Sequence, residues 1–203
     1  MRRVYTLTAT DADGIAASQT PSGAGSLTLD GVLISGGALS LSVPQPVTIT
    51  SAGNISASTF TVTGTDWKGD ALVESIAGPN AGTSTTTGHF YTVTDVSIGG
   101  AAAAALTVGI TAVAAFPWVE LTQGLSEFNY SYYVDIGTAT FQVESTLDDL
   151  RDTSITPVVN ATVEASGSSD AGGSSTAPCT GIRVNVTAFT SGDITLTVVQ
   201  AGK

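Results

Sequence analysis

Apolar residues alternate with polar ones at a spacing of two along most of this chain, the signature of strands with one face buried. Val4-Tyr5-Thr6-Leu7-Thr8 opens the series. It continues with Leu39–Val43, Val47–Thr50, Phe60–Thr63, Leu72–Ile76 and Phe90–Val93, at the short, regular spacing expected of sandwiches and barrels. Glycine pairs and Asp-led turns punctuate the strands. No segment carries a sustained helical period. The one helix candidate is Ser145–Leu150, where a capping residue leads acidic residues into a turn or two.

The uncharged stretch Ser97–Val119 is long enough for a membrane span. Its second half opposes that reading, because Leu106, Val108 and Ile110 alternate with Thr107, Gly109 and Thr111. The pattern predicts a strand preceded by a small-residue loop at Gly99-Gly100 and Ala101–Ala105. After Phe116-Pro117-Trp118 the chain becomes richer in aromatics, with strands Asn129–Ile136 and Thr138–Ser145 joined around Gly137. A low-complexity loop, Ser166–Thr176, precedes two last strands, Ile182–Phe189 and Ile194–Val199, meeting at a Ser191-Gly192 hairpin signal. The expected fold is all-β with very little helix. It comprises two β-sandwich domains in series, immunoglobulin-like or jelly-roll-like, over residues 1–115 and 116–203; one continuous sandwich is the alternative. The phrases Thr6–Gly14 and Thr61–Gly69 echo each other as a strand running into an Asp-led turn closed by Gly, which local turn chemistry explains without a repeat.

Composition narrows the function classes. Only 11% of the 203 residues are charged, so Thr, Ser and Gly supply most of the polarity, and they favour strands and turns. The net charge of −11 repels phosphate and argues against a nucleic-acid partner. With one cysteine, Cys179, no intrachain disulfide can form. The N-terminus enters strand alternation directly, without the apolar core of a signal peptide, which predicts synthesis and assembly in the cytoplasm. Of the six basic residues only Arg2 and Arg3 are adjacent, either a solvated end or a short basic arm.

The inventory for chemistry is thin. His89 is the single histidine, and no Gly-x-Ser-x-Gly elbow accompanies it. Cys179 lacks a neighbour that would stabilise a thiolate. Asp148 and Asp149 are adjacent and so diverge, unlike the facing carboxylates of a glycosidase. Asp11-x-Asp13-Gly14 and Asp66-x-x-Gly69-Asp70 offer oxygen atoms to calcium but not the ligand set of an EF-hand loop. The sequons at Asn54, Asn129, Asn160 and Asn185 arise readily in a Thr-rich chain. Trp67, Trp118, Tyr130, Tyr132 and Tyr133 are the candidates for stacking on a sugar, and alternation sends about half of them into the core. The expectation is a non-enzymatic protein without cofactor or metal.

Several phrases resemble those of small Thr/Gly-rich virion proteins of tailed bacteriophages. They are Thr6–Ala16, Pro46–Asn54, Phe60–Asp66, Gly78–Thr83, Phe141–Asp149 and Gly181–Thr187 through Val198–Gln200. The resemblance implies a capsid cement (decoration) protein on the outer face of the shell, partnered by the major capsid protein. It also implies a homo-oligomer, most simply a trimer, with no nucleic-acid or membrane partner. Arg2 and Arg3 would then meet an acidic capsid surface, and the Ala101–Ala105 region, with Ala103 at its centre, would be a close-packing patch. A tail or head-to-tail component (fibre, tube or connector) is the alternative, and a carbohydrate-binding module a more distant one.

Overall fold

The computed structural model describes residues 1–123, 128–152 and 155–201. Among these the protein is all-β without helix, 62% strand, built from antiparallel sheets. In chain order the strands are β1 (Arg2–Thr6), β2 (Asp11–Gln19), β3 (Gly25–Ser26), β4 (Ile34–Ser35), β5 (Ala38–Gln45) and β6 (Val47–Asn54). There follow β7 (Thr59–Thr65), β8 (Ala71–Ala77), β9 (Asn80–Thr85), β10 (Phe90–Ile98), β11 (Leu106–Ile110), β12 (Ala114–Ala115) and β13 (Val119–Glu120). The last four are β14 (Asn129–Thr146), β15 (Ala161–Gly167), β16 (Ala171–Ser175) and β17 (Gly181–Ala201).

The chain divides into two compact units, Thr8–Ala112 on the one hand and Met1–Leu7 with Val113–Lys203 on the other. The expected N-terminal domain of residues 1–115 differs from this at its first strand. β1 pairs with β17, from Arg2↔Thr197 to Thr6↔Asp193, so it stands with the C-terminal strands. That partner lies almost the whole chain away, and a strand's own alternation carries no information about which strand it will join.

In the unit Thr8–Ala112, one sheet runs β2-β11-β6-β9 and the other β4-β5-β10-β7-β8, with β3 on β10. Their inner faces share one core that includes Ile49, Leu106, Val108 and Ile110 from the first sheet and Phe60, Val62, Phe90 and Val96 from the second. This is sandwich packing, to which β5 and β7 turn alternate residues while β9 contributes none. Leu106–Ile110 forms β11 between β2 and β6. No helix among the described residues is long and apolar enough to cross a membrane.

The other unit is organised by two long strands, β14 and β17, paired from Asn129↔Ala201 to Thr146↔Gly181. The hairpins expected at Gly137 and at Ser191-Gly192 are absent; each is instead an irregularity inside one continuous strand. Between Ile136↔Ile194 and Phe141↔Val186, β14 advances five residues while β17 covers eight. The extra residues of β17 bulge, and bulges bend and twist a ladder. β14 changes its buried parity there: Tyr130, Tyr132 and Val134 are buried before the bend, and Ala139, Phe141 and Val143 after it. On one side of the bend β1 and β16 flank the central pair, and on the other β12, β13 and β15 do. The two halves fold towards each other, with Tyr5 of β1 and Phe116 in ring contact at 4.1 Å between centroids. Gln200 and the backbone of Thr122 close the same gap with reciprocal hydrogen bonds of 2.7 and 2.8 Å.

Three further segments differ from the pattern-based expectation. Ser145–Leu150 is not helical: β14 runs through Thr146, and an Asp-led turn follows in which Asp149 accepts the Arg151 N–H at 2.9 Å. Ser166–Thr176 is not simply a loop, since β15 ends and β16 lies within it. Its glycines are spacing devices, for a Cβ on Gly173 would stand 2.6 Å from the Tyr132 hydroxyl. Of the two echoing phrases, Asp66–Asp70 is a tight turn between β7 and β8, whereas Asp11–Gly14 lies inside β2. Gly31 is needed opposite Gly14, because a Cβ there would come within 2.3 Å of the Gly14 carbonyl oxygen.

Candidate functional site

Of the residues expected to make contacts, Arg2 and Arg3 belong to a sheet and Ala103 to a loop. Arg2 and Arg3 form rungs of β1 and not an arm. Side chains alternate along a strand, so the two arginines point to opposite faces. Arg2 shares a row with Thr197 of β17 and Tyr133 of β14, on the outer face. Arg3 shares its row with Leu196 and Val134, both buried, and is exposed only because β1 lies at the sheet edge. The outer face around Arg2 carries Val4, Tyr133 and Val199, 49%, 49% and 59% exposed, among Thr and Ser, with the exposed Asp135 and Asp193 in the rows of Val4 and Thr6. Period-two reading marks Val199 as the outward member of Val198-Val199. It could not show that Val4 and Tyr133 share its surface.

Ala103 is exposed at the crest of a pinned loop. The Ala102 N–H donates to the Pro21 carbonyl at 2.9 Å, and the Ser51 hydroxyl to the Ala105 carbonyl at 2.7 Å. Ala102 is buried, and Ala104 lies against Gly53, where even a Cβ would come within 2.5 Å. Within the alanine run, then, Ala102 and Ala104 are small for internal reasons. Ala103 has no such reason.

The groups considered for chemistry are engaged in holding backbone. Asp148 accepts the Val158 N–H at 2.6 Å while Asp149 caps its own turn, so the two carboxylates diverge. Asp66 accepts the N–H groups of Lys68 and Asp70 at 2.8 and 3.0 Å, and Asp11 that of Asp13 at 3.2 Å. Among the described residues no group of three or more His, Cys, Asp or Glu side chains converges as a metal site. Of the sugar-stacking candidates, Trp118, Tyr130 and Tyr132 are buried, which leaves Trp67 and Tyr133 at the surface.

Cys179 is buried beside Tyr130, and burial pushes its thiol above the ordinary range despite a hydrogen bond from the tyrosine. The Tyr130 hydroxyl is itself pushed up to about 12, by burial first and by the neighbouring cysteine second. A thiol with so little thiolate is a poor nucleophile. Cys179 in the folded protein is therefore expected to react with a thiol-specific disulfide reagent at least about a hundredfold more slowly than after unfolding in urea, because reaction must await opening of the structure. Equal rates in the two states would contradict that burial.

The Glu74 carboxylate of β8 accepts three hydrogen bonds. Oε1 accepts both the N–H and the hydroxyl of Thr87 at 2.8 Å, and Oε2 accepts the Gly88 N–H at 2.7 Å. Partial burial alone would raise its pKa, but these bonds and the nearby His89 outweigh burial and hold it below the usual range. A depressed folded-state pKa means stability that is present above the unfolded value and lost as pH falls through the folded one. Glu74→Gln is expected to cost about 1 kcal/mol at neutral pH, a charge-assisted bond discounted for exposure. The difference from wild type should vanish on acidification below the carboxylate range, as read from urea titrations at several pH values.

The chain was compared with family models, with curated proteins and with solved structures. It matches none of them.

Proposed function

We propose that the chain is a structural protein of a tailed-bacteriophage virion, a cement protein bound to the outer face of the capsid shell as a homo-oligomer. The reading starts from the resemblance of the chain's strand-and-turn phrases to those of such proteins. What supports it most in the structure is the surface of the β1–β17–β14 face. Arg2, Val4, Tyr133 and Val199 stand there among hydroxyl-bearing residues. Such a face offers apolar area to a partner, with the charges of Arg2, Asp135 and Asp193 to be paired or left at its rim. The net charge of −11 also suits a position away from packaged DNA.

Quantitative gels of purified virions test the reading. A cement protein should approach the major capsid protein in copy number; a handful to a few dozen copies would place the chain in the tail or connector. Ala103→Glu is expected to remove the protein from virions while leaving its folding intact, because an unpaired charge would be buried in the contact. Incorporation at the wild-type level would exclude that loop as an interface. Arg2 is better tested by Arg2→Ala than by truncation, since deleting residues 1–3 would also remove rungs of the β1–β17 ladder. Surface ion pairs contribute only about 0–1 kcal/mol, so a several-fold loss of affinity is the expected scale.

A further inference from the structure

β8 is the last strand of its sheet, and its free edge has properties that select a ligand. It pairs with β7 without a bulge over seven rungs, Thr59↔Ala77 to Thr65↔Ala71. Two backbone bonds fix the phase of the ladder: Asp66 N–H to the Asp70 carbonyl, and Gly78 N–H to the Ser58 carbonyl, each 2.9 Å. Hydrogen-bonded pairs alternate along an antiparallel ladder, so Leu72, Glu74 and Ile76 bond to β7. The N–H and C=O groups of Ala71, Val73, Ser75 and Ala77 then point away from the sheet, and no backbone partner meets them among the described residues. All four residues are exposed, Val73 at 60%. On the inward face Leu72 and Ile76 flank the core half-buried, with Glu74 between them. A flat edge of this length is a template for an added strand, and an inward charge is one of the devices that control what joins it.

Glu74 decides the occupant. It is held ionised by Thr87 and Gly88, and Oε2, with the Gly88 N–H as its one hydrogen bond, retains acceptor capacity. In the register that uses all seven residues of a second copy, Glu74 would face its own counterpart, and like charges directly opposite destabilise a pair. The preceding turn, with Asp66 and Asp70 against Lys68, adds a net negative charge beside the strand. We propose that this edge takes an extended segment of a partner protein by strand addition, with a lysine or arginine opposite Glu74. Main-chain bonds to Val73 and Ser75 would supply the binding, and Glu74 the choice of partner and the exclusion of self-pairing. The inference stands on the edge itself and holds whether or not the chain belongs to a virion.

The test uses the full chain and two blocked peptides, acetyl-Thr-Val-Thr-Lys-Thr-Val-Thr-amide and the same peptide with Glu at the centre. The lysine peptide is expected to bind about five- to tenfold more tightly, a preference that Glu74→Gln erases. Binding should slow amide exchange at Val73 and Ser75. Val73→Pro should abolish it at unchanged thermal stability, because that N–H makes no bond to β7 and proline is tolerated at such an edge. Equal affinity for the two peptides, unprotected Val73 and Ser75 amides, or undiminished binding by Val73→Pro would each overturn the proposal. So would sedimentation showing that wild-type protein self-associates through this edge and is made monomeric by Val73→Pro.

Discussion

Replacing Glu144 by Ala should cost about 3–5 kcal/mol, the expected loss when one partner of a buried ion pair is removed. Glu144 lies on β14 directly opposite Arg183 on β17. Its Oε2 accepts the Arg183 Nε–H at 2.7 Å and its Oε1 the Asn185 amide at 2.8 Å. The two charged side chains are only 8% and 19% exposed, so water screens them little. The guanidinium lies 4.4 Å above the ring of Trp118, itself buried, which closes the fourth side of the cluster. Removing the carboxylate leaves a guanidinium and an amide with buried, unanswered donors. The cost is that of stranding them and not the net worth of the pair. A triple replacement of Glu144, Arg183 and Asn185 by apolar residues of similar volume should therefore be far milder than the single change, within about 1–2 kcal/mol of wild type. Urea titrations followed by Trp118 fluorescence, in a Trp67→Phe background, would report on this unit. If Glu144→Ala and the triple variant lost equal stability, the stranded-charge account would be wrong.

This cluster also marks where sequence reading stopped. Val143 and Val184, in the strands read at Thr138–Ser145 and Ile182–Phe189, are both buried. Alternation left Glu144 and Arg183 as outward positions, with nothing to indicate that they meet each other under Trp118. Most strands were legible because each declares its own period. β2, whose start was read as a turn, and β15 were not named, and neither were β9 and β16, for Asn-Ala-Gly-Thr-Ser-Thr and Ala-Gly-Gly-Ser-Ser carry almost no apolar residues and hold their places by pairing with β6 and β14. The candidate surfaces were legible only as single residues. Arg2 and Ala103 could be named from their surroundings in the chain, but the face that joins Arg2 to Tyr133 depends on a ladder between residues nearly two hundred positions apart. The free edge of β8 depends on which strand ends the sheet, a property of topology that no local pattern encodes.

The bend in the β14–β17 pair should be the second most sensitive place in the protein. Gly137 and Gly192 face each other across it, and both were read as turn glycines because turns are where adjacent strands more often place them. Their role is close approach. A Cβ on Gly137 would come within 2.3 Å of the Ser191 carbonyl oxygen and 2.8 Å of the Gly192 Cα. These are backbone atoms, which cannot swing aside as a side-chain tip can. Gly192 also has φ of +93°, a conformation that residues with a Cβ adopt at a cost. Gly137→Ala is expected to destabilise its unit by about 3 kcal/mol, the upper end for overpacking. Gly192→Ala should cost about 1–3 kcal/mol through backbone strain, with its Cβ 2.9 Å from the Gly137 Cα. Because each change forces apart the same two backbones, the double variant should lose clearly less than the sum of the singles. Shortening the bulge of β17 by one residue would be worse than either, since a one-residue slip reverses the faces of Ile182, Val184 and Val186 relative to Ile194, Leu196 and Val198. Strict additivity in a denaturation cycle would mean that the two glycines act independently, and the account of the bend as a single close contact would fail.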